Sequence, residues 1–126
     1  MAILRMFGAQ YGYYPTDDWK TSFYINVILD CWGDMMEKAN GLAFGLGNMS
    51  EEEKETKTKE MIDKAHIPAL NCMEMQLGEH GGPYIAGAKL TIADCALVAN
   101  LVNTWENPAG PYSEAFKPVL AKYPKV

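Results

Sequence analysis

The stretch GPYIAGAKLTIAD, residues 82–94, decides the fold that this sequence predicts. Thr91 is a good helix N-cap, and Asp94 stands three residues later, so each side chain can bond the backbone N–H of the other residue. Leu90, just before the cap, can pack on Cys95 as a hydrophobic staple. We therefore predict a helix that begins after Thr91, and we expect loss of this cap to cost about 1 kcal/mol or more.

The helix predicted after this cap is apolar on almost every side. It continues through Leu97, Val98, Leu101 and Val102, and no charged residue occurs between Cys95 and Trp105. A helix at the surface needs only one apolar stripe, whereas a helix that is apolar all round is normally buried. The sequence therefore predicts that this is the central buried helix.

Helical spacing recurs along the rest of the chain, whereas strand-like alternation is nearly absent. Thr16 or Asp17 is the expected N-cap of a second helix, Ser50 and Glu53 form another capping box, and Pro68 predicts a kink near residues 63–64. The prediction is an all-α bundle of about five helices, over residues 1–10, about 19–40, about 51–78, about 92–105 and about 113–122.

The second of these helices has an unusual density of apolar residues. Ten of the fourteen residues from 23 to 36 are apolar, which is more than a single buried stripe requires. We expect this helix to be covered on two sides, by its own core and by another domain or subunit. Asn26, Asp30 and Asp34 recur every four residues on it and therefore share one face.

Composition limits the classes of function. The chain has 126 residues and a net charge of -5, with no basic face for phosphates, so nucleic acid is not an expected partner. Its three cysteines form no metal-ligand spacing with His66 or His80, and no secretory signal or membrane span is visible. We expect no metal site, no membrane association and a cytoplasmic location.

Residues 82–94, with Gly87 and the capped turn, resemble the segment that introduces the core helix in the C-terminal domain of cytosolic glutathione transferases. The chain is most similar to the sigma-, pi- and mu-like branch of that family. Residues 2–5 and 11–13 resemble the last helix of the family's thioredoxin-like domain and the start of the linker, and residues 116–120 fit its penultimate helix. The resemblance implies that residues 1–10 are a remnant of the preceding domain and that residues 11–126 form the all-α domain.

The resemblance also implies roles for residues of this chain. Family members carry their catalytic residue in the thioredoxin-like domain, so no catalytic residue is expected here, and glutathione is a co-substrate with no further cofactor. An acidic residue matching Asp34 contacts the glutathione amino group across a dimer interface. The alternative is that Asp34 and Asp30 are solvated or cap a neighbouring backbone.

Further positions have both a functional and a structural interpretation. Met36, Asn40 and Phe44 resemble family positions that line the pocket for hydrophobic electrophiles, although ordinary packing explains Met36 at least as well. Arg5 resembles an arginine at the subunit interface, where Asp30 would also lie, and a simple surface charge is the alternative.

Three functions stay open on the sequence alone. The first is the substrate-binding half of a glutathione transferase, a homodimer that conjugates glutathione to hydrophobic small molecules. If the chain is complete at Met1, we expect negligible conjugating activity from it alone. The second is a non-catalytic interaction module, like the related domains of translation elongation factor subunits and tRNA synthetase complexes. The third is a lens-type structural relative.

Overall fold

The computed structural model describes residues 1–43, 46–109 and 113–126, and at residues 42, 43 and 46 it describes the backbone. Two π turns, Ile62–His66 and Leu101–Trp105, continue neighbouring α-helices. The described residues therefore form five continuous helices, one 3₁₀ turn at Leu46–Asn48 and no strand. This confirms the predicted all-α fold. The α-helices are α1 Ala2–Tyr11, α2 Trp19–Ala43, α3 Glu51–Met61, α4 Ile67–Glu79, α5 Ile92–Asn100 and α6 Ser113–Leu120.

The N-cap of α2 differs from the one that the sequence predicted. Asp18, rather than Thr16 or Asp17, accepts hydrogen bonds from the Thr21 backbone N–H at 3.1 Å and from the Thr21 hydroxyl at 2.6 Å. The cap is set by which carboxylate reaches the free N–H groups of the first turn. Asp18 meets that condition because it directly precedes Trp19, the first residue of α2.

Pro68 disturbs the long helix at the predicted place. It stands in the first turn of α4 and has no N–H to donate, and the turn before it is π-helical. The Ile67 N–H bonds the carbonyl of Ile62, five residues back, in place of an α-helical partner. A π turn, which accommodates the missing donor, therefore stands where the kink near residues 63–64 was expected, and the kink itself stays a prediction.

The core lies where α2 packs against α3, α4 and α5. Ile25, Ile28 and Leu29 of α2 are fully buried there. On the opposite side of α2, Trp19 is 79% exposed and Phe23 is 56% exposed, so this chain covers α2 on one side only. The other fully buried large side chains include Met35, His66, Leu70, Met73, Ile85, Trp105 and Phe116.

α5 is not buried all round, contrary to the prediction. Leu97 faces the core, but Val98 and Val102 on the other side are 55% and 57% exposed. The prediction was wrong because the sequence of an apolar helix face is the same whether that face packs on the core or stays exposed. Leu90 and Cys95 are both exposed as well, so they do not bury one another as a staple.

Candidate functional site

The capping box before α5 is a buried hydrogen-bond centre. Asp94 accepts hydrogen bonds at 2.8 Å from the backbone N–H groups of Thr91 and Ile85 and from the Thr91 hydroxyl. The Thr91 hydroxyl oxygen in turn accepts the N–H of Ala93 at 3.3 Å. Asp94 therefore joins the start of α5 to the loop before it, and the bond to Ile85 is one that the capping pattern alone does not predict.

Two glycines shape that loop. Gly87 has φ +123°, which side chains rarely adopt, and it pairs with Tyr84 through two backbone hydrogen bonds of 3.0 and 3.1 Å. Gly82 lies so close to Gly87 that an added Cβ would fall 2.2 Å from the Gly87 carbonyl oxygen. Both positions therefore require glycine, because only this backbone path brings the Ile85 N–H to the Asp94 carboxylate.

A polar network joins α1, the linker and α2. Arg5 donates from Nε to Asn26 Oδ1 and from Nη2 to Asp30 Oδ1, both at 2.8 Å. Asn26 donates to the Tyr14 hydroxyl at 3.0 Å. Arg5 and Asp30, which the resemblance assigned to a dimer interface, thus form an ion pair within the chain, and Asp30 keeps 70% of its side chain exposed.

The exposed face of α2, defined here by Trp19, Phe23, Asp30 and Asp34, has two chemically different halves. Its first half presents two aromatic side chains to solvent, and its second half presents two carboxylates. The spacing of these residues places them along one side of the helix. Such a face can contact an apolar surface at one end and a cation at the other.

Asp34 is the carboxylate of this face without a neutralising partner. Asp30 is paired with Arg5, whereas Asp34 is exposed and has no hydrogen bond or ion pair with any described residue. The charge of Asp34 contributes to a raised pKa of the Cys31 thiol, behind burial and the nearby Cys72 thiol. Asp34 is therefore an exposed carboxylate that no described side chain neutralises.

The three residues expected to line an electrophile pocket differ in how the structure places them. Met36 is half-buried and packs against the hydrophobic core, as its structural interpretation predicted. Asn40 is exposed on the last turns of α2. Phe44 lies outside the described residues. A pocket built from these three side chains therefore stays a prediction.

A surface groove of about 1220 Å³ between α3 and α6 has no counterpart in the sequence predictions. Lys54, Glu55 and Lys59 line it together with Ile62 and Val119. Residues of α3 and α6 line the groove together although they are far apart in the sequence, which local spacing does not reveal. Its lining mixes both charge signs, so it singles out no ligand class.

The structure also bears on metal binding and on membranes. Across residues 1–43, 46–109 and 113–126, no group of three or more His, Cys, Asp and Glu side chains is arranged to hold a metal ion. Among those same residues, every helix is too short or too polar to cross a bilayer. Polar groups converge at Arg5, Asn26 and Asp30 and around Asp94, and Lys57 and Lys64 both pair with Glu60 on the surface.

Comparison with protein families identifies the chain. A family model described as the C-terminal domain of glutathione S-transferase matches residues 34–126. The chain belongs to this family. The matched segment begins at Asp34 and includes α3 to α6 with the Thr91–Asp94 capping box. Comparison with curated proteins and with solved structures found no significant match.

Membership of the glutathione S-transferase C-terminal domain family fits the geometry already described. The helices α3 to α6 and the buried capping box lie within the matched residues. The family match does not reach α1 or the first fifteen residues of α2, so the origin of residues 1–10 stays a prediction. The choice of the sigma-, pi- and mu-like branch is likewise a prediction from the resemblance.

Proposed function

We propose that this chain is the helical, substrate-binding half of a cytoplasmic glutathione transferase, with glutathione as co-substrate and hydrophobic electrophiles as second substrates. Thiol activation belongs to a thioredoxin-like domain, and no catalytic residue is assigned to this chain. The proposal rests first on the match of residues 34–126 to the family's C-terminal domain. It gains support from Asp34, an exposed carboxylate with no partner among the described residues.

Asp34 is the proposed contact for glutathione. The amino group of the glutamyl residue is an ammonium ion near neutral pH, and a carboxylate is its natural partner. Asp30, one turn earlier, is already held by Arg5. Asp34 is therefore the member of the pair whose oxygens are available for a substrate.

In the proposed reaction, the glutathione thiol releases its proton to solvent and its sulfur attacks an electrophilic carbon of the second substrate. With 1-chloro-2,4-dinitrobenzene, a carbon–sulfur bond forms, the carbon–chlorine bond breaks and chloride leaves. The contribution of this chain is to hold the two substrates in place. We propose that Met36, Asn40 and Phe44 contact the apolar electrophile, since a thioether and an aromatic ring adapt to varied apolar shapes. A kinetic effect of these residues should appear in the KM for the electrophile.

We further propose a homodimer in which Asp34 reaches the glutathione bound by the second subunit. The exposed aromatic half of the α2 face, Trp19 and Phe23, would then be buried between subunits. Arg5 and Asp30 lie beside it and would form part of the polar rim.

A non-catalytic interaction module is the second candidate. It is favoured by the exposed apolar side chains of α1 and α2, which include Ile3, Met6, Phe7 and Phe23. In that case the same surface would bind a partner protein, and glutathione would play no role.

Steady-state kinetics test the proposal on the polypeptide as the cell produces it, with glutathione and 1-chloro-2,4-dinitrobenzene. We expect Asp34→Asn to raise the KM for glutathione roughly tenfold, which corresponds to about 1.4 kcal/mol, with little change in kcat. Glu37→Gln is the matched control, because Glu37 is another exposed carboxylate of α2. Absence of glutathione-dependent turnover would overturn the proposal and favour the interaction module.

A further inference from the structure

The segment that follows α6, residues 121–126, contacts α4 and is named the strap. Glu74 of α4 accepts two backbone N–H groups of the strap with one carboxylate oxygen, that of Lys125 at 3.0 Å and that of Val126 at 3.3 Å. Hydrogen bonds to a carboxylate are about twice as strong as those between neutral groups. Glu74 therefore ties the backbone of the strap to α4.

Side chains of the strap add to this attachment. The Tyr123 hydroxyl donates a hydrogen bond of 2.8 Å to Asn71 Oδ1. The Lys125 ammonium lies beside Gly78, since a Cβ added there would fall 2.7 Å from Lys125 Nζ, and a cation suits the negative end of the α4 dipole. Asn71, Glu74 and Gly78 are three and four residues apart, so they form one stripe along α4.

The strap is joined to α6 by a tight turn. Three backbone hydrogen bonds of 2.8 to 3.2 Å link the first residues of the strap to the second half of α6. They run from Ala121, Lys122 and Tyr123 to the carbonyls of Lys117, Val119 and Leu120. The strap therefore continues α6 without a flexible joint and connects it to α4.

α6 is short, and Phe116 is its main anchor in the core. Phe116 is the one fully buried apolar side chain among its eight residues, and it packs on His66. Among the described elements, α6 contacts the π turn Leu101–Trp105 most. An element with few buried apolar contacts opens easily, so its position depends on further attachments.

We propose that the strap fixes α6 to α4 and thereby sets the width of the groove between α3 and α6. Ala115 and Val119 of α6 line this groove together with residues of α3 such as Lys59. A change in the attachment of α6 therefore changes the distance between the two walls. This inference goes beyond glutathione binding and does not depend on it, because it uses only the contacts of the strap.

Hydrogen exchange of backbone amides, followed by NMR on the full chain, tests the proposal. In the wild type we expect slow exchange at Lys125 and Val126, because Glu74 accepts both N–H groups. Glu74→Ala should remove this protection. It should also make the amides of α6 exchange roughly tenfold faster, while those of α5 keep their rates.

Three further variants make the outcome specific. Glu79→Ala is the matched control, since Glu79 is an exposed carboxylate of the same helix, and it should leave α6 unchanged. Glu74→Gln keeps an oxygen that can accept a hydrogen bond and should have a smaller effect than Glu74→Ala. Where Glu74→Ala folds poorly, Tyr123→Phe removes only the bond to Asn71 and should speed exchange in α6 by a smaller factor.

The groove provides a second readout. Val119 of α6 and Lys59 of α3 both line it. Their amide resonances should shift together in Glu74→Ala, because α6 changes its position, and should keep their positions in Glu79→Ala. Faster exchange in α6 without a shift at Lys59 would show that the groove keeps its width, contrary to the proposal.

Three exchange patterns would overturn the proposal. The first is free exchange of the Lys125 and Val126 amides in the wild type. The second is unchanged exchange in α6 when those two amides lose their protection, because the strap would then be attached without fixing α6. The third is an equal acceleration in α5 and α6, which would indicate a general loss of stability.

Discussion

At the scale of single residues, His66 shows how a polar side chain is held in this core. Its Nδ1 accepts the indole N–H of Trp105 at 3.0 Å, and its ring packs edge-to-face on Phe116 with centroids 4.7 Å apart. Burial lowers the pKa of His66 to about 4. The imidazole is therefore neutral near pH 7 and acts as an acceptor, a role that the sequence did not reveal because its partner lies 39 residues away.

The lowered pKa of His66 predicts a dependence of stability on pH. The unfolded chain binds a proton at His66 below about pH 6.5, whereas the folded chain binds it only below about pH 4. The contribution is complete above pH 6.5 and is lost as the pH falls toward 4, by about 3 kcal/mol. Urea unfolding at a series of pH values measures this loss.

The variant His66→Gln should reduce that pH dependence, since its amide oxygen can accept the indole N–H but does not titrate. His80→Gln is the matched control, because His80 is half-buried at the end of α4 and bonds Gln76 instead. A stability that falls between pH 6.5 and 4 as steeply in His66→Gln as in the wild type would contradict this account of His66.

At the scale of elements, local capping signals predicted where helices begin. Long-range packing decided where a π turn occurs and which side of a helix is exposed. The Ser50–Glu53 and Thr91–Asp94 boxes start α3 and α5 as the sequence indicated. The capping pattern is local and can be recognised without a fold. The π turn Leu101–Trp105 and the exposure of Val98 depend instead on what lies beside α5, which sequence spacing does not report.

The two capping boxes should differ in their effect on stability. Asp94 is buried, and its replacement by Ala would leave the N–H groups of Ile85 and Thr91 without their acceptor, so we expect a loss of about 3 kcal/mol. Ser50→Ala removes an exposed cap whose N–H groups water can satisfy, and it should cost clearly less. Denaturant unfolding measures both losses.

An equal loss in Asp94→Ala and Ser50→Ala would contradict the buried role of Asp94. Thr91→Ala provides a further comparison, because it removes one hydroxyl and leaves the Asp94 bond to Ile85 in place. It should therefore lie between the other two variants.

At the scale of the whole molecule, the sequence predicted the fold and the helix number but not the side of α2 that stays uncovered. Phe23 begins a run that is apolar on several sides, and Trp19 lies one turn before it. Only the packing of α3, α4 and α5 shows which side of α2 the core uses. The candidate site was predicted in part. Asp34 and Asp30 share a face as their spacing indicated, whereas the Arg5 ion pair required the structure.

The proposed homodimer predicts that the exposed aromatic half of the α2 face, Trp19 and Phe23, forms the contact between subunits. Light scattering coupled to size exclusion should find a dimer for the wild-type chain and a monomer for Phe23→Glu. Val98→Glu is the matched control, since Val98 is equally exposed but lies on α5. A dimer that survives Phe23→Glu and is lost in Val98→Glu would place the subunit contact on α5 and contradict the proposal.

The central claim is that Asp34 binds the amino group of glutathione, and a double-mutant cycle tests it most directly. KM is measured for glutathione and for an analogue without the glutamyl amino group, in wild type and in Asp34→Asn. The account predicts a KM for glutathione raised roughly tenfold by Asp34→Asn, and no change for the analogue. An equal rise for both compounds, or no rise for either, would contradict it.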